Sequence, residues 1–251
     1  MDMKNIAVCD LLSEVYKLLI DKFGPQGWWP VKSLAGEWGV DDKGYHPGRF
    51  DIPSNDSERF EIIVGAILTQ NTTWKNVEEV LDKLIKENLV NPKAIAEISS
   101  EELAVKIRSC GYYNQKAKKL KAISHFFLSE SEARGVKNSS QLLICPRRED
   151  LLRVWGVGKE TADSILLYAF DYPIFVIDAY TKRFVLSLNE IWQSRYGRTL
   201  IDKDELNGTK WYDILQGLFH SCLPRESSLY NEFHALIVRA RGNPAVVLND
   251  S

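Results

Sequence analysis

The sequence predicts an all-α protein, and three observations carry that expectation. Apolar residues recur close to the 3.6-residue helical period in nine separate segments of the chain. Alternating strand-like runs are almost absent. The one extended-looking stretch, PIFVID at 173–178, has no neighbour of similar pattern to pair with, so it reads as a short connector ending in a helix cap.

The elements follow in order. A helix over 8–23 places Leu11, Leu12, Val15, Leu18, Leu19 and Phe23 on one face. Residues 30–57 then break the period with several Gly and Pro residues. A loop that long is uncommon in a compact domain, and it is either a plain surface insertion or a functional, mobile segment. Helical periodicity resumes over 59–70 (RFEIIVGAILTQ), 74–86, 101–109 and 115–128. Two segments, 149–155 and 159–170, are separated only by a turn containing Gly156 and Gly158. Further helices are expected over 179–189 and 229–240, with no internal repeat.

Bulk properties bound the function. A chain of 251 residues can bury a full core, and 45% hydrophobic residues with mixed charges describe an ordinary globular protein. The N-terminal stretch lacks the basic and apolar regions of a secretory peptide, and no apolar run approaches membrane-spanning length. A cytoplasmic location is expected, nucleoid-associated in a prokaryote, with no membrane partner. Cys9, Cys110, Cys145 and Cys222 lie far apart without a CxxC pair, so reduced and mostly buried thiols are expected.

A net charge of −2 argues against a strongly basic nucleic-acid binder, but the distribution is uneven. KIRSCGYYNQKAKKLK, residues 106–121, holds six basic residues and no acidic one. It is either a local phosphate-facing surface or a solvated helix face. The turn GVGKETAD, 156–163, has a similar ambiguity. Glycines there permit close approach to the backbone, and outward amides at a helix start, with Lys159 beside them, suit a phosphate. As spacing alone, the same pattern is a tight hairpin between two helices.

The longer passage LLRVWGVGKETADSILLYAFDYPIFVIDAYTKRF resembles the helix-hairpin-helix motif, followed by an aspartate, of the endonuclease III-like (HhH-GPD) DNA glycosylase superfamily. FEIIVGAILTQNTTWKNVEEVL, GYYNQKAKKLKAI and YNEFHALIVRARG are similar to other segments of that family, so the resemblance spans most of 58–242. It implies a two-lobed, all-α fold with a central DNA-binding cleft. One lobe would be a helical barrel over 58–171 ending in the hairpin, and the other would combine 1–57 with 172–251. It also implies duplex DNA carrying a damaged base as partner, read by a monomer.

The site residues implied by the resemblance are specific. Gly156, Val157, Gly158, Lys159 and Thr161 would contact DNA, and the carbonyls of Leu152, Val154 and Val157 would hold a monovalent cation, K+ or Na+. Gln70 would fill the gap left by an extruded nucleotide. Trp28, Trp29 and Trp74 resemble the aromatic base-pocket residues of the 3-methyladenine DNA glycosylase III branch, although tryptophans are also common core residues. Asp178 would stabilise positive charge on the deoxyribose as the bond to the base breaks, and it is equally a normal helix N-cap.

Two departures from the family pattern shape the expected activity. Bifunctional relatives carry a Schiff-base lysine two residues after the second hairpin glycine, where this chain has Glu160. Monofunctional base removal without strand cutting follows. After Gly242 the chain is NPAVVLNDS, without the cysteines that bind an iron–sulfur cluster, so no cluster and no other cofactor is expected. An alkylated purine such as 3-methyladenine is the first substrate expectation. Uracil or a mismatched pyrimidine, and a non-catalytic DNA-structure binder, are the alternatives. Trp155, where most relatives have proline, is expected to leave the turn intact.

Overall fold

A computed structural model describes residues 3–135, 143–197 and 199–248. Among the described residues every regular element is helical and no strand occurs, as the periodicity predicts. The chain divides into two compact units, one formed by 1–28 with 172–251 and the other by 29–171. Residues 29–57, expected to join the N-terminal helix, instead belong with 58–171.

The reason lies in the hydrogen bonding of that stretch. Glu61, buried on α2 (Asp56–Leu68), accepts from the backbone N–H groups of Lys32 and of Ser33, the latter at 3.2 Å. Burial pushes the Glu61 carboxyl up, against the lowering effect of these bonds. The Val31 N–H donates to the Gly44 carbonyl at 2.9 Å, and Asp41 Oδ1 accepts from the N–H groups of Lys43 and Tyr45. The buried His46 ring lies with Nε2 2.9 Å from the Trp29 carbonyl and Nδ1 3.0 Å from that of Arg49. Gly44 has φ +91, and a Cβ there would come within 2.5 Å of the Val31 carbonyl, so only glycine closes this loop. The stretch is therefore an ordered loop tied to α2.

In this unit α6 (Tyr113–Ala133) packs against α2, α4 (Pro92–Glu97) and α5 (Ser100–Lys106). Helix α2 also packs on α3 (Trp74–Lys86) and on the hairpin's second helix, α8 (Lys159–Ser164), with its π-helical continuation Ile165–Ala169. The hairpin's first helix is α7 (Arg148–Arg153). Arg148 forks onto the fully buried Asp163 carboxylate, Nε to Oδ1 at 2.5 Å and Nη2 to Oδ2 at 2.8 Å. The two planar groups match bidentately, so the hairpin helices are joined by charge as well as by the apolar stripe.

The basic run 106–121 is mostly structural. Lys116, 2% exposed, donates to the carbonyls of Leu68 and Cys110 at 2.8 and 2.7 Å. Lys121 donates to the carbonyls of Ala96 and Ile98 at the end of α4, and Lys106 pairs with Glu87 at 2.7 Å. Cations at helix C-termini satisfy orphan carbonyls and the negative end of the dipole. Two of the six basic residues thus cap helix ends and a third is ion-paired, so the run is not one continuous phosphate-facing surface.

In the other unit α1 (Met3–Phe23) packs against α11 (Trp211–Cys222), α12 (Ser227–Arg239) and α13 (Ala245–Leu248), while α9 (Ala179–Tyr196) packs on α12 and the short α10 (Lys203–Asn207) on α11. Cys9 of α1 and Cys222 of α11 form a disulfide, which corrects the expectation of four reduced thiols. Cysteine spacing could not show this, because the two residues meet only through helix packing across a separation of 213 residues. Cys110 is a buried thiol that burial pushes up to about 11, and Cys145 is exposed. None of the described helices is long and apolar enough to cross a membrane.

Removing the buried Asp163 carboxylate takes from Arg148 its bidentate partner across the hairpin. Asp163→Ala is expected to lower the unfolding free energy by about 3–5 kcal/mol, read from urea denaturation. A loss under about 1 kcal/mol would show that the pair does not hold the hairpin.

Candidate active site

The connector 173–178 is extended and unpaired by any strand, as expected. Its backbone is satisfied by one face of α11. Gln216 Nε2 donates to the Phe175 carbonyl at 2.8 Å, His220 Nε2 accepts the Phe175 N–H at 2.9 Å, and the Tyr212 hydroxyl lies 3.5 Å from the Ile177 N–H. Residues 212, 216 and 220 stand at four-residue intervals, so three side chains substitute for a neighbouring strand. Ile174 to Ile177 are buried, which fixes the direction in which the chain enters α9.

Asp178 is the N-cap of α9. Its Oδ1 accepts the Thr181 N–H at 2.7 Å and the Thr181 hydroxyl at 2.9 Å, and it lies 3.7 Å from His234 Nε2. Among the described residues no hydrogen bond is directed to Oδ2, and the side chain is 16% exposed. Burial works to raise the Asp178 pKa. The facing His234 imidazole, when protonated, and the hydrogen bonds from the Thr181 N–H and hydroxyl outweigh that and hold the carboxyl below its ordinary 3.8. The cap therefore engages one oxygen of the carboxylate and leaves the other without a hydrogen bond among the described residues.

Trp28 lies in the same unit as Asp178 and is half-buried. Its carbonyl accepts Asn231 Nδ2 at 2.8 Å, and Glu232 Oε1 accepts the Gln26 N–H at 2.7 Å, so α12 clamps the backbone entering the tryptophan. The Trp28 ring meets His234 edge-on, with centroids 6.2 Å apart. Trp29 and Trp74 belong to the other unit and meet edge-to-face at 5.4 Å. Trp29 is 7% exposed, also packs on Tyr168, and lies over Gly65, where a Cβ would stand 2.9 Å from its Nε1. The structure thus brings Trp29 and Trp74 together in one core cluster and places Trp28 beside the group that faces Asp178.

At the hairpin, Gly156 has φ +83 and a Cβ there would strike the Lys119 side chain at 2.4 Å. Gly158 differs: φ is −94, the extended residue is the N-cap of α8, and a Cβ would meet nothing within 4 Å. The first glycine makes the turn, and the second keeps its surface bare. Lys159 is half-buried, Glu160 is exposed on the first turn of α8, and Thr161 is buried. Trp155 is exposed and the turn forms, as expected.

Gln70 follows α2 and reaches the hairpin. Its Nε2 donates to Thr161 Oγ1 at 2.8 Å and lies 3.4 Å from the Gly156 carbonyl, while its Oε1 accepts from Lys119 Nζ. Burial holds Lys119 below the ordinary amine value. The Val154 carbonyl accepts the Val157 N–H at 3.1 Å. A carbonyl has a second lone pair, so this contact is compatible with a cation shared among the carbonyls of Leu152, Val154 and Val157. Among the described residues no cluster of three or more His, Cys, Asp or Glu could hold a metal ion.

Sequence reasoning missed Asn231, Glu232, His234 and the α11 face. The signal was present. Buried Glu232 and His234, with half-buried Asn231 beside them, interrupt the apolar run of Tyr230, Phe233, Leu236 and Ile237.

A glycine-turned hairpin and, after a short connector, a capping aspartate with one oxygen unengaged define a class of DNA repair protein. Residues 64–200 match the HhH-GPD superfamily base excision DNA repair protein family. The chain is 37% identical over 231 residues to the Methanocaldococcus jannaschii protein named "Putative DNA repair glycosylase MJ1434", covering 91% of this chain and 86% of that one. It belongs to the HhH-GPD superfamily, a family of DNA glycosylases. The crystal structure of H. pylori 3-methyladenine DNA glycosylase (MagIII) bound to 1,N6-ethenoadenine superposes with a TM-score of 0.63 at 28% identity, covering 92% of this chain and 95% of that one. A thymine/uracil-DNA glycosylase of Methanothermobacter thermautotrophicus is 26% identical over 173 residues, 66% of each chain.

The two glycines make different demands. Gly156→Ala is expected to cost about 1–2 kcal/mol for the left-handed backbone, with a further loss as Lys119 is displaced. Gly158→Ala should cost under about 1 kcal/mol. Equal losses in thermal denaturation would contradict this division.

Proposed function

We propose that the protein is a monofunctional DNA glycosylase that removes an alkylated purine, such as 3-methyladenine, from duplex DNA. The observation that carries the reading is the Asp178 carboxylate, ionised and held through Oδ1 while Oδ2 is left for chemistry. As the bond between base and C1′ lengthens, positive charge grows on the sugar, and a fixed anion stabilises it without reorganising. The same oxygen can orient the water that completes hydrolysis. A rigid carboxylate is favoured here because the cap prevents it from turning to solvent.

Trp28 supports the choice of base. An electron-poor alkylated purine gains from an aromatic face, as a cation does, and its glycosidic bond is already labile. The similarity to a 3-methyladenine glycosylase over most of both chains supports the same choice. The thymine/uracil-DNA glycosylase relative favours a second reading, removal of uracil or a mismatched thymine. At the hairpin, the amides of Gly158 and Lys159 would take a phosphate across the bare surface at Gly158, with Lys159 adding charge. Leu152, Val154 and Val157 would hold a monovalent cation that stiffens the turn. Gln70 would leave Thr161 and Lys119 to occupy the gap in the duplex. Glu160 offers no amine for a Schiff base, so strand cleavage is not part of the reaction.

Excess protein incubated with duplexes carrying 3-methyladenine, 1,N6-ethenoadenine, uracil or a G·T mismatch, with and without alkali, tests the reading. The alkylated purine should be released, with strand breaks only after alkali. Asp178→Asn should bind the same duplex and lose at least about a hundredfold in excision rate, whereas Gly158→Ala should lose DNA affinity. Full excision by Asp178→Asn, or borohydride trapping of a protein–DNA adduct by the wild type, would overturn it.

A further inference from the structure

His234 is placed as no ordinary core residue would be. It stands in the middle of α12, 4% exposed, between Phe233, Leu236 and Ile237, which are fully buried. An apolar side chain would fill that site without the cost of desolvating an imidazole. Its Nε2 is 3.7 Å from Asp178 Oδ1, the oxygen already committed to Thr181. The ring is wedged edge-on between Trp28, with centroids at 6.2 Å and planes at 74°, and Phe175, at 6.4 Å and 84°. Both ends of the arrangement are anchored independently, Trp28 by Asn231 and Phe175 by Gln216 and His220.

We propose that His234 is a positioning residue for base excision: its ring faces Asp178 Oδ1 and braces Trp28, and when protonated it is the counter-charge to the Asp178 carboxylate. The inference rests on Asp178 being the catalytic carboxylate. Salt-bridge geometry at 3.7 Å favours the charged acid over the neutral one, whereas hydrogen bonds from Thr181 alone act through the same oxygen and add no net charge. The depressed titration of Asp178 agrees with that geometry.

Other charged and titratable groups around α12 face other partners. Glu232 turns to the Gln26 N–H, and Tyr16 of α1 meets Phe233. Arg239 lies over Phe23, His220 of α11 stacks on Tyr230, and Arg183 of α9 donates to the Arg241 carbonyl.

The sign of the effect is fixed. Asp178 acts when ionised, so a counter-charge extends activity toward lower pH, and removing it moves the acid limb upward. His234→Gln keeps a polar side chain of similar length without the charge, and His234→Asn serves if Gln does not fold. The carboxyl titration of Asp178, followed by 13C NMR in the DNA-free protein, should move up by about one pH unit in the variant. The acid limb of single-turnover excision should move with it, while far-UV circular dichroism changes little. An unmoved Asp178 titration in a folded variant would overturn the proposal. If the wild type excises no base, the functional reading fails, yet the carboxyl titration still decides whether His234 charges Asp178.

Discussion

The geometry of the active-site unit depends on one hydrogen bond, from the Thr181 N–H to Asp178 Oδ1 at 2.7 Å. An N-cap must point its oxygen along the axis of the helix it starts, so the bond fixes the carboxylate in space as firmly as the helix itself. A carboxylate has two oxygens and the cap uses one. That leaves the other oriented but unsatisfied, the condition in which a charge is ready to act on a cation without first rearranging. The connector 173–177 and helix α12 can both be understood as means of keeping the cap in place.

The connector has to be extended to deliver Asp178, and an extended buried segment needs partners for its backbone. Helix α11 provides them through Tyr212, Gln216 and His220, and the disulfide from Cys222 to Cys9 ties that helix to α1. Helix α12 closes the arrangement from the other direction, with Asn231 and Glu232 on the backbone before and at Trp28 and His234 between Trp28 and Asp178. Polar groups buried this way are costly unless matched. Their density on one helix therefore marks a place where geometry has been favoured over simple apolar packing.

How much of this was legible in the sequence depended on whether a feature was local. The helical period, the glycine turn and the cap at Asp178 are written in adjacent residues, and the structure has them where expected. Gly156 and Gly158 looked equivalent in the motif, but one is required by a left-handed φ and by Lys119, and the other by neither. The basic run at 106–121 looked like one surface because charge sign is legible and direction is not. Lys116 and Lys121 turn inward to helix ends that lie 48 and 23 to 25 residues away. The order in residues 30–57 was equally hidden, since it comes from Glu61 and His46 meeting backbone groups that no local pattern announces. Helix α11 carries a legible apolar stripe at Tyr212, Leu215 and Phe219, but nothing local in the sequence says that Gln216 and His220 turn toward the connector.

The claim that one oxygen of Asp178 caps the helix while the other meets the cationic sugar is tested most directly by a duplex carrying a pyrrolidine abasic-site analogue, whose ring nitrogen is positively charged where C1′ would be. Its affinity should be measured against an uncharged tetrahydrofuran abasic duplex for the wild type and Asp178→Asn. The wild type should prefer the charged analogue by at least about a hundredfold, and the variant should lose that preference while binding the uncharged duplex unchanged. Equal preference in both proteins would contradict the account.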